Sequence, residues 1–353
     1  MNNIRKTQHL ICLADSSDMS LLDSESVQLV VTSPPYPMIE MWDHQFISGN
    51  HDIRELIEKG RGFDAFECMH RQLDRVWNEV YRILEPGCFA CINIGDGART
   101  IKENFSLFPN HARILNYLVK IGFLPMPSIL WRKQTNAPNK FMGSGMLPGG
   151  AYVTLEHEHI LILRKGSKRE FKTQEQKELR RKSAIFWEER NQWFSDIWFD
   201  LKGTTQKLTP QKERKRSGAF PFTLPYRLIN MYSLQGETVV DPFLGIGTTT
   251  MAAMAAARNS VGFELEKSLV GPIEERITPS GELLNSVVSK RLKSHRDFVC
   301  ARKETGKELK HFNAFYQTEV VTNQEKSICL NKIDNISFKK RKQIFLVSHS
   351  ITR

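Results

Sequence analysis

Two rhythms of apolar and polar positions alternate along this chain. Short apolar runs bounded by Gly, Pro and polar residues predict strands, and apolar residues three and four apart predict helices. LVVTSPPY (Leu29 to Tyr36) reads as a strand running into a proline-rich loop. FECMHRQLDRVWNEVYRIL (Phe66 to Leu84) has helical spacing, and Glu-Pro-Gly ends it. CFACINIG reads as the next strand, ARILNYLVKIGF as a helix closed by Gly122, and MPSILWRK and HEHILILRK as further strands. ETVVDPFLGIGTTTMAAMAAARNSVGFELE supplies an almost complete strand-turn-helix-strand. This alternation predicts an α/β fold, a doubly wound and mostly parallel sheet with helices on both faces.

The pattern lapses twice. From Lys165 to about Arg216 the chain is polar and basic, yet it holds Trp187, Trp193 and Trp198. Beyond about Val288 it is basic and weakly patterned, and FKKRKQIFLVSHSITR is compatible with a strand, a docking tail or disorder. The formal net charge of +11 resides in these two stretches. Arg164 to Arg216 holds 16 Lys/Arg against 8 Asp/Glu, and Val288 to Arg353 holds 15 against 6, which leaves the rest acidic. Basic segments on an acidic body suggest a polyanionic partner; ordinary solvated surface charge is the alternative.

Composition narrows the class. At 353 residues, 40% apolar and 25% charged, the chain is globular and long enough for one large domain with an insertion, or two domains. No apolar run approaches the ~20 residues that span a bilayer. The N-terminal MNNIRKTQHLICLADSS lacks the order of a signal peptide. Six scattered cysteines suit a reducing cytoplasm better than a disulfide framework. Cys88 and Cys91 have metal spacing but lie within an apolar strand, which favours a buried core pair. His157 and His159 share a strand face with no third ligand evident nearby, so no metal is expected.

Two motifs carry chemistry. In VVDPFLGIGTTT, Gly245 and Gly247 permit a tight turn with close backbone approach, and Thr248 opens an Ala-rich helix. Glu264 follows Gly245 by 19 residues at the end of the next strand, where a carboxylate can bind ribose hydroxyls. Asp241 at the first strand tip would repel a pyrophosphate but pair with an ammonium group. That favours S-adenosylmethionine over a dinucleotide. In TSPPY, Pro34 and Pro35 fix φ and remove two N–H donors, leaving Ser33 and strand-end carbonyls beside the ring of Tyr36. Such a corner suits a planar, amine-bearing group such as a nucleobase taken out of a duplex.

TSPPY together with DPFLGIGTT resembles the DNA amino-methyltransferases, which methylate N4 of cytosine or N6 of adenine. The catalytic motif precedes the cofactor motif, as in the permuted β group of that family, and the likeness covers most of residues 8–275. The resemblance implies neighbouring catalytic and cofactor strands in one doubly wound sheet. It implies a catalytic half at 1–165, a target-recognition region at 166–216, a cofactor half at 217–287 and a basic C-terminal extension at 288–353. Ser33, Pro34, Pro35 and Tyr36 would form the catalytic corner, with Tyr36 stacked on the flipped base. Asp15, Asp241, Phe243, Gly245, Gly247, Thr248 and Glu264 would bind S-adenosylmethionine. Trp42, Arg180, Arg181, Lys182, Arg214, Lys215 and Arg216 would contact double-stranded DNA. The Ser-Pro-Pro-Tyr form goes mostly with cytosine and the Asp-Pro-Pro-Tyr form mostly with adenine, so cytosine leads, with adenine the alternative. A methyltransferase on RNA or protein, or a non-catalytic nucleic-acid module, are the rival classes. A prokaryotic cytoplasmic location, a monomer or homodimer, and a cognate restriction endonuclease as functional partner follow as family-level expectations. Methylation at C5 is excluded on its own chemistry, since no Pro-Cys dipeptide is present.

Overall fold

The structure, a computed structural model, describes residues 5–133, 142–202 and 220–352. In chain order its principal elements are β1 (Arg5–Cys12), β2 (Val27–Thr32), α1 (Gly62–Ile83), β3 (Leu84–Ile94), α2 (Asn110–Lys120), β4 (Ile129–Arg132), β5 (His157–Lys165), α3 (Gln174–Lys182), α4 (Trp187–Trp193), α5 (Thr223–Tyr232), β6 (Thr238–Asp241), α6 (Thr248–Ala255), β7 (Asn259–Phe263), α7 (Gly281–Glu304), β8 (Asn331–Lys339) and β9 (Ile344–Ile351). The strands form one sheet in the order β4-β5-β3-β2-β6-β7-β1-β9-β8, with Ile197–Trp198 beyond β4. The five strands from β3 to β1 are parallel, and both flanks are antiparallel.

The central strands read as unbroken apolar runs because both of their faces are covered. Along β2, Leu29 and Val31 enter one core with α5 and α6, while Val30 enters the other with α1 and α2. Val239 and Val240 of β6 divide the same way. So do Cys91 and Cys88, which point to opposite faces of β3 and lie in different cores. All six cysteines are unpaired. Among the described residues, no helix is long and apolar enough to cross a membrane.

Two sequence expectations change here. The strand at His157–Lys165 runs antiparallel to β3, so its last residue emerges at the amino ends of the parallel strands. The basic segment that follows therefore packs at that rim. Arg169 pairs with Glu237 ahead of β6, and Gln235 binds Ser183 Oγ and the Lys182 carbonyl. The C-terminal basic stretch is neither a tail nor disordered. Its strand β9 pairs with β1 over Arg5↔His349 to Leu10↔Ile344, and β8 completes the edge. The 287/288 division falls inside α7, whose Asn285 exchanges hydrogen bonds with the backbone of Ile333 on β8.

Three imidazoles are folded into places that keep them neutral. Thr7 Oγ1 lies 2.9 Å from Nε2 of both His9 and His349, fastening β1 to β9. His70 Nε2 donates to Asn110 Oδ1 at 3.0 Å between α1 and α2. Burial is the main cause that pushes His9 and His70 down to about 3 and His349 to about 4. In the unfolded chain these groups titrate near 6.5. Between about pH 6.5 and 4 the unfolded state therefore binds protons that the folded state does not, and stability is lost as pH falls through that window. Each buried imidazole contributes about 1.4 kcal/mol per pH unit there. Calorimetry is expected to show Tm dropping steeply between pH 7 and 5. A flat Tm would mean that these rings are charged in the fold.

Candidate active site

The carboxyl ends of the parallel strands converge on one crevice, where open α/β sheets bind ligands. β2 and β6 are parallel neighbours, with Leu29 opposite Val239 and Val30 opposite Val240. The two motifs, distant in sequence, thus meet side by side. Thr32 Oγ1 donates to Asp241 Oδ1 at 2.6 Å and fixes the junction between them.

On the β6 side, Gly245 (φ +55°) and Gly247 (φ +79°) occupy left-handed conformations that a side chain would strain. A Cβ at Gly245 would meet nothing within 4 Å, so open space lies over the loop at that point. Asp241 is buried and accepts from Thr32 Oγ1, from Thr249 Oγ1 at 2.6 Å and from the Phe243 N–H at 3.1 Å. Burial raises its carboxyl above the ordinary range. Glu264 Oε2 accepts the Gly245 N–H at 2.8 Å and Oε1 the Glu266 N–H at 2.9 Å, so its carboxylate sits against the glycine loop. Phe243 is half-buried, edge-on to Trp77. Thr248 is buried, and its hydroxyl accepts from Arg276, which also donates to the Ile246 carbonyl. Arg276 had no signal in the sequence; it clamps the turn from a later helix. Asp15, past the end of β1, is exposed at the mouth and accepts the Ser17 N–H at 2.8 Å.

On the β2 side, Pro34, Pro35 and Tyr36 are buried and Ser33 is half-buried. Met38 follows at φ +65°, a conformation that non-glycine residues rarely hold. Asn110 Nδ2 donates to the carbonyls of Pro37 and Gly95 and locks the corner to the end of β3. Tyr36 is only 8% exposed. Its hydroxyl is drawn inward to Glu158 Oε2 at 2.9 Å, and Gly95, without a side chain, leaves the ring room. Asn93 Nδ2 donates to both the Tyr36 hydroxyl (2.9 Å) and Glu158 Oε2 (2.7 Å). Lys133 Nζ donates to Glu158 Oε1 at 2.8 Å, and Ser33 Oγ lies 3.1 Å from the Tyr36 hydroxyl. Sequence reading missed Lys133 and Glu158. The signal was present: a carboxylate between two histidines in an otherwise apolar strand.

The fold also brings together residues that the sequence left apart. Asp96 and His111 join His159, with His111 Nδ1 2.8 Å from the Asp96 carboxylate. A third candidate ligand to His159 thus exists in space. The His111 and His159 rings, however, stack 3.8 Å apart and 11° from parallel, so their in-plane lone pairs do not converge on one ion. Asp43, beside Trp42, forms a bidentate pair with Arg99. Trp42 is half-buried beside the corner.

The expected DNA contacts divide. Arg180 and Arg181 are exposed on α3 at the amino rim, with Lys182 at the end of that helix. The antiparallel run of β5 delivers them to the side opposite the crevice. Arg180 borders a cavity of about 820 Å³ there, with Arg169 and Phe171. Arg214, Lys215 and Arg216 lie outside the described residues.

The N6_N4_Mtase family, described as DNA methylase, matches residues 27–275. The type II methyltransferase M.MthZI of Methanothermobacter thermautotrophicus is 50% identical over 326 residues, 92% of this chain and 90% of that protein. M.MjaI of Methanocaldococcus jannaschii, also a type II methyltransferase, is 49% identical over 77% of this chain and 91% of its own length. The crystal structure of TTHA0409 from Thermus thermophilus, complexed with S-adenosyl-L-methionine, superposes with a TM-score of 0.60 at 32% identity, covering 77% of this chain and 95% of that one. Adjacent TSPPY and DPFLGIG motifs on a mostly parallel sheet and identity along nearly the whole length agree: the chain belongs to the N6_N4_Mtase family of DNA methylases.

Proposed function

We propose that the chain transfers a methyl group from S-adenosylmethionine to the N4 amine of a cytosine flipped out of double-stranded DNA. The observation that carries the choice of base is Ser33 at the first position of the Pro-Pro-Tyr corner, the form that goes mostly with cytosine. S-adenosylmethionine, when bound, supplies an electrophilic methyl on a sulfonium. The crevice fits it: there is open space above Gly245, Asp241 and Glu264 lie beneath, and Asp15 stands at the mouth.

An exocyclic amine is a poor nucleophile because its lone pair is delocalised into the ring. The Ser33 hydroxyl and the Pro34 carbonyl accept its N–H bonds and favour a more tetrahedral nitrogen, with the lone pair aimed at the methyl. The two prolines hold these acceptors still, so the geometry is set before the base arrives. Tyr36, tied at its hydroxyl, orients Ser33 from behind. Asp241 pairs with the methionine ammonium and Glu264 with the ribose. Trp42, Arg214, Lys215 and Arg216 are proposed as DNA contacts.

The test is to incubate the protein with labelled S-adenosylmethionine and duplex DNA, digest to nucleosides and identify the labelled product. N4-methylcytosine is expected, and N6-methyladenine as the sole product would overturn the cytosine assignment. A cognate restriction endonuclease is the proposed functional partner, and DNA from cells expressing this chain is expected to resist one such enzyme.

A further inference from the structure

We propose that Glu158 is the terminal proton acceptor of the reaction, reached from the target amine through the hydroxyls of Ser33 and Tyr36. The inference rests on amine methylation as read above, and it holds for either base.

Methylation leaves the exocyclic nitrogen cationic, and one of its protons must depart. The nitrogen keeps the electron pair of the broken N–H bond. The hydrogen bonds around Tyr36 set the direction of travel. The Nδ2 group of Asn93 can only donate, and it donates to both the Tyr36 oxygen and Glu158 Oε2. The Tyr36 hydrogen therefore points at Glu158, 2.9 Å away. With that hydrogen committed, the Ser33 hydroxyl, 3.1 Å off, donates to Tyr36 and keeps its lone pairs for the amine. Every link is oriented one way, from amine to Ser33, Ser33 to Tyr36, and Tyr36 to Glu158. As the amine proton passes to Ser33 Oγ, Ser33 gives its own to Tyr36 and Tyr36 gives its own to Glu158 Oε2, which becomes a carboxylic acid. No oxidant or co-reactant is needed.

The surroundings suit this use. Glu158 and Tyr36 are each 8% exposed, so bulk water does not supply an easy alternative acceptor at the relay. Burial and the neighbouring Glu158 hold the Tyr36 phenol well above its ordinary range, so it passes a proton rather than resting as a phenolate. Lys133 donates to Oε1 and leaves Oε2 as the receiving oxygen. An N-methylated exocyclic cation is a strong acid, and a carboxylate can take its proton.

Glu158→Gln in the full chain keeps the shape and removes the capacity to take a proton. Rapid-quench single-turnover assays with labelled S-adenosylmethionine and duplex DNA are expected to show methyl transfer slowed by about 100-fold, a typical general-base contribution. Dissociation constants for cofactor and DNA should stay within about threefold. Glu158→Ala opens space for a small base, and added formate is expected to restore much of the rate. Tyr36→Phe breaks the relay at its middle, and the Tyr36→Phe/Glu158→Gln double variant should be no slower than the worse single one. A Glu158→Gln rate within about twofold of wild type would overturn the proposal. So would a loss of cofactor and DNA binding that matches the loss of rate, with no response of Glu158→Ala to formate. Wild-type protein that methylates no DNA amine would instead overturn the reading beneath it.

Discussion

Ser33→Ala is expected to slow methyl transfer by about 100-fold or more while leaving cofactor affinity within a few-fold of wild type. The hydroxyl stands at the end of β2, next in chain to Thr32, whose side chain binds Asp241 directly. Ser33 itself is bonded to the Tyr36 hydroxyl and not to the glycine loop, so its removal spares the cofactor side. What it removes is an acceptor placed where charge develops on the amine. Single preorganised groups of that kind carry about 10²- to 10³-fold in rate, roughly 3–4 kcal/mol of transition-state stabilisation. Ser33→Thr retains the hydroxyl and should keep more activity than alanine, despite the crowding of its extra methyl. Single-turnover rates with labelled cofactor, set beside equilibrium cofactor binding, decide the matter. An alanine variant that keeps more than half the wild-type rate would remove Ser33 from the chemistry.

The order of elements was legible because each signal is local. The apolar runs of β2, β6 and β7, the spacing in α1 and the positive φ of Gly245 and Gly247 depend on residues close in sequence. The meeting of TSPPY with DPFLGIG was legible only through the resemblance, since nothing in either segment names its neighbour. Strand direction was not legible. HEHILILRK reads alike whichever way it runs, and its antiparallel pairing with β3 carries the segment that holds Arg180 and Arg181 to the amino rim of the sheet. The same pairing brought Glu158 to Tyr36, across 122 residues of sequence. FKKRKQIFLVSHSITR hid its role for a similar reason. Most of its residues are charged or polar because a strand near a sheet edge keeps one face wet, while Phe345 and Val347 enter the core from the other. The proposed chemistry falls where the sequence was least typical: a polar residue within an apolar strand, and a rigid polar end on a buried one.

Asp241→Ala is expected to weaken S-adenosylmethionine binding by more than about 100-fold and to lower the folding stability together with it. The carboxylate is buried and accepts three hydrogen bonds, two from threonine hydroxyls and one from the Phe243 amide. Alanine leaves these donors facing an apolar hole, and each buried polar group without a partner costs about 1–3 kcal/mol. The loop they hold carries Gly245 and Gly247, so cofactor affinity falls even apart from the charge. Thr249→Val removes one donor and keeps the carboxylate, and it should cost far less affinity. The charge itself is separable by pH. Burial raises the Asp241 carboxyl, so in the cofactor-free protein it holds a proton at higher pH than an exposed aspartate does, and its ionisation opposes folding as pH rises, the reverse of the buried histidines. An ammonium group bound beside it favours the charged form. Cofactor binding is then linked to release of that proton, and affinity should fall as pH drops through the raised value. Isothermal titrations in buffers of different ionisation enthalpy measure the released proton directly. The released proton should vanish in Asp241→Asn, whose amide cannot titrate; a release that persists there would assign the linkage to another group and leave Asp241 as a brace for the loop alone.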